Sequence, residues 1–386
     1  MAVLSTREQM EANESIPVNA RAVLRIDLDA LRANWRKVNE ATGRAECAAV
    51  IKADAYGLGL EQICRALTEE GCRTFFTATI DEGRRLREVN PGAIIYILDG
   101  LLPGAAEYYS GFDLRPALSS LAEIREWAAY CRERDTKLAA AIHINTGMNR
   151  LGLPESEVME LVAHPELLQD FRLSLVMSHL ACADVPEHPM NAAQRAEFER
   201  LTAMLPPAPR SLANSGGVFL GPDYHYDLVR PGIVLYGGRA HEKRPNPMRT
   251  VVRLSAKVLQ VFEVPPGQTV GYNATYVIDK PTRVATIACG YADGFLRALS
   301  GPTGNPGPVG YIGPHPVRVI GRVSMDLITV DVSEVPPDQV YRGAWVEVMG
   351  DRVTLDDLTD RAGTIGYELL SRLGRRVHRI YEGAGS

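Results

Sequence analysis

Hydrophobic and polar positions follow two different patterns along the chain. Between residues 47 and 237, short apolar runs alternate with charged stretches in which apolar residues recur at helical spacing. Eight such runs occur: CAAVIKA, TFFTATI, AIIYILDG, LRPALSS, LAAAIHIN, LSLVMSHLA, RSLANSG and DLVRPGIVLYG. This pattern predicts an α/β fold, specifically a (β/α)8 TIM-like barrel of eight parallel strands separated by helices.

The pattern changes near residue 250. Residues 251–386 are rich in valine, glycine and proline, and segments such as VVRLSAKVLQVFEV alternate apolar and polar positions between frequent turn signals. We therefore predict a C-terminal, mostly antiparallel β domain over 251–386, preceded by the barrel over 21–250 and a polar N-terminal arm over 1–20. The segment LDALRANWRKVNEAT predicts an early amphipathic helix with Asp29 as its N-cap.

Composition narrows the classes of function. The net charge is -5 and the pI about 6.0, with acidic and basic residues mixed along the chain, so neither nucleic acid nor an anionic membrane is an expected partner. No apolar run is long enough to span a bilayer, and the N-terminus lacks the features of a secretory signal. The six cysteines form no CxxC pair, which is typical of a reduced, cytoplasmic protein.

The most informative residue is Lys52, in AVIKADAYGLG. It follows a buried apolar run directly, at the carboxyl end of a predicted strand, and that end of a barrel carries the active site in enzymes of this fold. Polar residues follow other predicted strands in the same way: Asn145, His179, Asn214, Ser215 and Arg230.

Each of these residues also has an alternative interpretation. Lys52 alone could simply extend its side chain to solvent from a strand end. GLGLEQ is a partial dinucleotide motif with Asp81 at the ribose-binding distance, but Gln62 stands where the third glycine belongs. A metal site is a weaker alternative, because its four candidate ligands are loosely spaced and no second cluster completes the set: His179, Cys182, Asp184 and His188. We expect no metal.

Taken together, these polar residues at the carboxyl ends of the predicted strands, which we call the rim residues, fit one chemistry. A strand-end lysine can bind a carbonyl compound covalently, and the segments ANSGG and RPGIVLYG offer hydroxyl and backbone N–H donors for a phosphate after the seventh and eighth strands.

The chain as a whole resembles the alanine racemases, pyridoxal-phosphate enzymes of the barrel type. AVIKADAYGLG resembles the cofactor-lysine motif of that family, NTGMNRLG resembles D-T-G-M-x-R-L-G, and SHLA resembles H-[FL]-A. Further blocks are similar and follow the family's order: LANSGG, VRPGIVLYG, GYNATY, GYADGF, GRVSMD and TIGYE.

The resemblance implies a role for each matching residue. Lys52 would hold pyridoxal 5'-phosphate and move a proton on one face of the substrate, and Tyr272 of the partner subunit would move it on the other. Arg230 would face the pyridine nitrogen, with His179 supporting it. The phosphate would be held by Tyr56, Ser215, Gly232, Ile233 and Tyr367, with Asn214 nearby. Arg150 and Met325 would bind the substrate carboxylate, and Tyr291 and Asp326 would belong to the entry and its surroundings.

The chain departs from the family pattern beside Arg150. Many members have a carbamylated lysine where this chain has His143, and Asn145 replaces the usual aspartate. Both changes remove negative charge, so Arg150 would be oriented by His143 directly or by an anion such as chloride.

The resemblance predicts a cytoplasmic homodimer with shared active sites that interconverts L- and D-alanine. Alternatives are a racemase of broader range that accepts serine or larger amino acids, a non-catalytic pyridoxal-phosphate carrier, and a related decarboxylase. Carriers of this type lack the second domain and its tyrosine, so GYNATY and GRVSMD argue against that alternative.

Overall fold

A computed structural model describes residues 16–383. Within these residues, contacts between Cα atoms define two compact units: one contains residues 28–249, and the other contains residues 16–27 and 250–383. We call them the barrel unit and the β unit. Most of the predicted arm over 1–20 lies outside the described residues.

The first strand, β1 (Ala22–Asp27), belongs to the β unit, although the barrel was predicted to begin at residue 21. It pairs antiparallel with residues 252–256 and parallel with residues 378–382. Pairing on both sides makes it a central strand of the antiparallel sheet, and its apolar side chains are buried there. The following helix, α1 (Leu28–Thr42), spans the predicted segment, but Asp29 is not its N-cap: it lies in the first turn and pairs with Arg32.

The barrel unit has the predicted eight strands, the first of which is interrupted at Ala48. They are β2 (Glu46–Cys47) with β3 (Ala49–Val50), β4 (Thr74–Thr77), β5 (Ile94–Ile97), β6 (Arg115–Leu118), β7 (Ala139–His143), β8 (Arg172–Met177), β9 (Arg210–Ser211) and β10 (Leu228–Val229). The segments from β3 to β9 form one parallel sheet in chain order, and β10 pairs parallel with β2. Backbone hydrogen bonds from Asp227 to Arg210 (3.0 Å) and from Arg230 to Ala213 (2.9 Å) join β10 to β9. The barrel is therefore closed.

Helices follow the strands as the periodicity predicts. They are α2 (Leu60–Glu69), α3 (Ile80–Val89), α4 (Ala106–Gly111), α5 (Leu121–Glu133), α6 (Glu155–Ala163), α7 (Pro189–Thr202) and α8 (Ser215–Val218). Phe75 and Phe76, adjacent in β4, are both fully buried, because one points into the barrel and the other toward the helices. Trp127 of α5 is also fully buried. These side chains fix the barrel, and therefore the positions of the strand ends.

The β unit is built around a mostly antiparallel eight-stranded sheet. Its further strands are β11 (Val252–Val264), β14 (Thr282–Ile287), β15 (Val309–Ile312), β16 (His315–Ile320), β17 (Ile328–Asp331), β18 (Trp345–Met349) and β19 (His378–Glu382), and β12 (Thr269–Val270) pairs with β13 (Tyr276–Val277) separately. Helices α9 (Leu355–Ala362) and α10 (Gly366–Ser371) come late in the chain. Val252, Leu254 and Ala256 are buried while Arg253 and Ser255 are half-buried, as the alternation predicts. No helix within residues 16–383 has the length and apolar character that a membrane span requires.

Candidate active site

Lys52 lies directly after β3, at the carboxyl end of the barrel strands. Burial lowers the pKa of its amine below the ordinary value of 10.5, the neighbouring Arg150 cation lowers it further, and the Asp99 and Glu82 carboxylates oppose that effect. Within residues 16–383 its amine makes no hydrogen bond or ion pair. Lys52 therefore presents a partly desolvated amine with an increased neutral fraction, which is the reactive form of a lysine.

The backbone after Lys52 forms a single left-handed turn. Ala53, Asp54 and Ala55 have φ of 53 to 55° and ψ of 48 to 52°, and Tyr56 has φ of 58°. Left-handed helix costs an L-residue ~1–2 kcal/mol, so four consecutive non-glycine residues in it are unusual. Glycine then supplies two further positive φ angles, at Gly57 and Gly59. This turn, and not a dinucleotide loop, is what the glycine-rich end of AVIKADAYGLG forms.

A cluster of hydrogen-bond donors lies beside this turn, after β9 and β10. Ser215 Oγ accepts from the Gly232 N–H (2.8 Å), and Asn214 Oδ1 caps α8 by accepting from the Gly217 N–H (3.0 Å). A Cβ at Gly232 would lie 2.3 Å from the Tyr56 hydroxyl, so this glycine is required for the approach of that tyrosine. Among the described residues, the backbone N–H groups of Ser215, Gly216 and Ile233 have no partner. Unpaired N–H groups beside two hydroxyls suit a phosphate.

Arg230 occupies the end of the eighth strand and is buried. Its guanidinium donates to Ser211 Oγ and to the Ser178 carbonyl, and it lies over the Phe76 ring at 5.8 Å. Burial lowers the pKa of Arg230 to about 9, which still leaves a cation at neutral pH. The site therefore holds a fixed positive charge, and this charge acts on both neighbouring histidines.

His143 and His179 lie at the ends of β7 and β8. Burial, then Arg230 and then Arg150, lower the pKa of His143 to about 4. The same causes hold the pKa of His179 well below its usual value. Both imidazoles are therefore neutral at neutral pH. The hydrogen bond of the His143 ring goes to Ser119 Oγ (3.4 Å), and Arg150 makes no hydrogen bond within residues 16–383, so the direct His143–Arg150 support is not seen in this structure.

Asn145 organises the loop that carries Arg150. Its Oδ1 accepts from the N–H groups of Gly147 (3.0 Å) and Asn149 (3.1 Å), and its Nδ2 donates to Asn149 Oδ1 (2.9 Å). An aspartate could accept the same backbone bonds but could not donate to Asn149. Asn145 thus shapes the loop and does not itself hold Arg150.

In the β unit, the remaining predicted site residues are exposed. Tyr272 begins a short 3₁₀ helix after Gly271, and its side chain is 70% exposed. Tyr291, Met325 and Tyr367 are also among the exposed large side chains of the described residues. Tyr291 and Met325 lie on neighbouring loops, because the Tyr291 N–H donates to the Ser324 carbonyl (3.0 Å) and the Ala292 N–H to the Met325 carbonyl (3.0 Å).

Sequence reasoning missed two residues that fix these loops. Arg376 Nε donates to Asp293 Oδ1 (3.0 Å), and its NH1 donates to Asp326 Oδ1 (2.7 Å). Asp293 is buried, and its other oxygen accepts from the Gly290 N–H (2.9 Å). The GYADGF block contains Asp293, but nothing in the sequence connects it to an arginine 83 positions later.

Two residues of the metal alternative, His188 and Cys182, have other partners. His188 Nδ1 accepts from the Met190 N–H (3.2 Å) and caps α7, and Cys182 Sγ lies 3.7 Å from Met190 Sδ. No group of three or more potential ligands in residues 16–383 could hold a metal ion.

Comparison with known proteins agrees with this geometry. Residues 26–240 match the alanine racemase N-terminal domain and residues 251–381 the alanine racemase C-terminal domain. An alanine racemase of Methylobacterium sp. (strain 4-46) is 49% identical over 93% of this chain and 97% of its own length. The alanine racemase of Rhizobium meliloti is 45% identical over 97% of this chain and 100% of its own length. The crystal structure of alanine racemase from Bartonella henselae with covalently bound pyridoxal phosphate is 39% identical, covers 94% of this chain and 100% of its own, and has a TM-score of 0.89. With both domains matched in order and near-complete coverage, the chain belongs to the alanine racemase family.

Proposed function

We propose that the chain interconverts L- and D-alanine with pyridoxal 5'-phosphate, and that Lys52 and Tyr272 move the proton. The observation that carries this proposal is the half-buried, unpaired Lys52 amine beside the donor cluster of Tyr56, Ser215 and Gly232. An amine and a phosphate cradle at one barrel rim are the two attachments that this cofactor requires.

The residues present fit the cofactor. The unpaired N–H groups of Ser215, Gly216 and Ile233 and the Tyr56 hydroxyl would hold the phosphate, with Asn214 ordering the turn and Tyr367 as a further contact. Arg230 would face the pyridine nitrogen; a guanidinium that remains charged does not readily give that nitrogen a proton. The neutral His179 would lie beside Arg230 without adding charge. When bound, pyridoxal phosphate withdraws electrons from the substrate and acidifies its Cα–H bond.

Racemisation needs a proton removed from one face of Cα and returned to the other, so one base on each face is the direct arrangement. Lys52 would serve one face, helped by the environment that lowers its pKa. Tyr272 would serve the opposite face. Arg150 and the Met325 backbone would bind the substrate carboxylate, and His143, Asn145, Tyr291 and Asp326 would shape the surroundings.

We further propose a homodimer in which Tyr272 and Met325 act in the partner's site. The exposure of Tyr272, Tyr291, Met325 and Tyr367 supports this, because aromatic and methionine side chains left in water are typical of surfaces that another chain covers. We also propose a cytoplasmic location, which the six unpaired cysteines support.

The test is a racemisation assay on the purified protein over alanine, serine and larger amino acids, followed by borohydride reduction and peptide mapping. We expect alanine to be the best substrate and the cofactor to be attached irreversibly to Lys52. Absence of alanine racemisation by protein loaded with cofactor, or attachment at a different lysine, would overturn the proposal. Comparable turnover of larger amino acids would replace it with the racemase of broader range.

A further inference from the structure

The backbone of the left-handed turn after Lys52 is contacted from outside by a side chain of a neighbouring helix. Within the turn, the Ala55 N–H donates to the Ile51 carbonyl (2.9 Å) and the Gly57 N–H to the Ala53 carbonyl (2.8 Å). The Asp54 N–H, in its centre, donates instead to Glu82 Oε1 (3.2 Å). Since every residue from Ala53 to Tyr56 has an unfavourable φ, the turn depends on such external contacts.

Glu82 connects this turn to the barrel. Its second oxygen, Oε2, accepts from the Ala78 N–H (3.0 Å) and the Thr79 N–H (3.4 Å), at the carboxyl end of β4. β4 is also the strand that pairs with β3, which leads into Lys52. One carboxylate therefore joins the segment after Lys52 to the rigid strand beside it.

A second contact orients Asp54. Arg85, one turn further along α3, donates to Asp54 Oδ1 (2.7 Å) and to Glu61 Oε1 (2.7 Å). Asp54 Oδ1 also accepts from the Leu60 N–H (3.2 Å) at the start of α2. The turn is thus attached to both α2 and α3, and Glu82 is the member that reaches its backbone.

We propose that Glu82 is a positioning residue for Lys52, whose carboxylate fixes the left-handed turn against β4 and so aims the amine into the barrel mouth. This role rests on the proposed function of Lys52 as the cofactor lysine. A carboxylate is required because both oxygens accept hydrogen bonds from backbone N–H groups. Glutamine has only one acceptor oxygen, so it can serve Asp54 or residues 78–79 but not both.

Glu82 also belongs to a capping box with Thr79, and the test must separate these two roles. Thr79 Oγ accepts from the Glu82 N–H (3.3 Å), so Thr79→Ala weakens the start of α3 without touching Asp54. Glu88→Gln is a second control, since Glu88 lies on the same helix in an exposed pair with Arg84. The experiment compares Glu82→Gln and Glu82→Ala with these two variants.

Two measurements are made on the full-length proteins. The first is the rate at which Lys52 reacts with an amine reagent before cofactor is added, as a function of pH and relative to the exposed Lys137, read by mass spectrometry. The second is kcat and KM of the loaded enzyme, with thermal midpoints recorded for each variant. Because the Glu82 charge raises the pKa of Lys52, its removal should shift half-maximal labelling of Lys52 to lower pH.

We expect both Glu82 variants to shift the Lys52 labelling profile and to lower kcat at least about tenfold, in line with the cost of misplacing a reacting group. Thr79→Ala should lower the thermal midpoint as much as Glu82→Ala while leaving the Lys52 profile unchanged. Equal effects of Thr79→Ala and Glu82→Ala on labelling and kcat would overturn the positioning role, as would an unchanged profile in both Glu82 variants. Failure of the wild-type protein to racemise alanine would instead overturn the proposed function.

Discussion

The Nδ1 atom of His143 lies 3.4 Å from Ser119 Oγ, and the same hydroxyl lies 3.2 Å from the Ala117 carbonyl oxygen. The carbonyl can only accept, so the single hydroxyl proton of Ser119 goes to Ala117, and Ser119 Oγ accepts from the His143 Nδ1–H. That assignment leaves the lone pair of the imidazole on Nε2. His143 is therefore a neutral group that can accept one hydrogen bond.

The first prediction concerns the pH dependence of stability. The pKa of His143 falls from 6.5 to about 4 on folding, so the unfolded chain binds more protons between these values. The stabilisation is fully present above pH 6.5 and is lost as the pH falls toward 4. For His143 alone, the stabilisation lost over this pH range is on the order of 3 kcal/mol, and relaxation of solvent around the charged imidazole reduces that loss. His143→Gln, which does not titrate, should lose less stability than wild type between pH 7.5 and 5, measured as thermal midpoints at each pH.

His179 provides the matched comparison, since burial and Arg230 also lower its pKa. His179→Gln should reduce the loss of stability over the same pH range. Equal loss in wild type and both variants would mean that the two imidazoles are not buried as neutral groups.

The second prediction concerns what orients Arg150. An imidazole cannot form the stable carbamate that a lysine amine forms, so activity should not depend on added bicarbonate. Asn145 is fully occupied by the loop, which leaves His143 Nε2 or a bound anion as support in the loaded enzyme. A hydrogen bond from Arg150 to a neutral imidazole is about half as strong as one to a charged acceptor. His143→Ala should therefore mainly raise KM for alanine and leave the cofactor absorbance unchanged.

Halide removal distinguishes the two kinds of support. If chloride substitutes for the carbamate, KM should rise when chloride is replaced by a large organic anion, and His143→Ala should retain that dependence. A map of the loaded enzyme with neither an anion nor a His143–Arg150 contact would contradict both forms of the hypothesis.

The rim residues could be predicted from sequence because a barrel brings the carboxyl ends of all its strands to one face. Lys52, His179 and Arg230 each follow an apolar run, so their convergence required only the correct fold. The left-handed turn could not be predicted in this way, since alanine does not favour positive φ and the tertiary contacts with Glu82 and Arg85 that support the turn leave no local pattern in the sequence. The place of β1 could not be predicted for a related reason: a short apolar strand carries no mark of which sheet it joins.

The third prediction tests the shared site. Lys52→Ala and Tyr272→Phe should each abolish or strongly suppress racemisation, by orders of magnitude for loss of a general base, while Tyr272→Phe still binds cofactor. If Tyr272 acts in the partner's site, mixing the two inactive proteins after subunit exchange should restore one working site per heterodimer. No recovery, once exchange has been verified with differently tagged chains, would place both groups in one chain.

The fourth prediction concerns the loop that carries Met325. A Cβ at Gly290 would lie 2.4 Å from the carbonyl oxygens of both Ser324 and Met325, so Gly290→Ala must displace this backbone. The barrel unit contains none of these atoms. We expect KM for alanine to rise at least about tenfold while cofactor affinity, measured by absorbance titration, changes little. Gly111→Ala is the control, since a Cβ there meets nothing within 4 Å. Normal KM in Gly290→Ala would exclude a contribution of this loop to substrate binding.

The last prediction tests the left-handed turn by its energetics. Ala53 is exposed with φ of 54° and ψ of 48°, so replacing it with glycine removes little packing and relieves a backbone penalty of ~1–2 kcal/mol. Glycine also gains freedom in the unfolded chain, which costs roughly 0.5–1 kcal/mol, so Ala53→Gly should be neutral or stabilising by about 1 kcal/mol. Ala196 is exposed in the middle of the right-handed helix α7, and there the same change should destabilise by about 1 kcal/mol. Urea unfolding of the two variants beside wild type should show an unchanged or raised midpoint for Ala53→Gly and a lowered one for Ala196→Gly, because the backbone at these two exposed alanines has opposite handedness. A midpoint lowered equally in both would mean that residues 53–56 are not left-handed in solution.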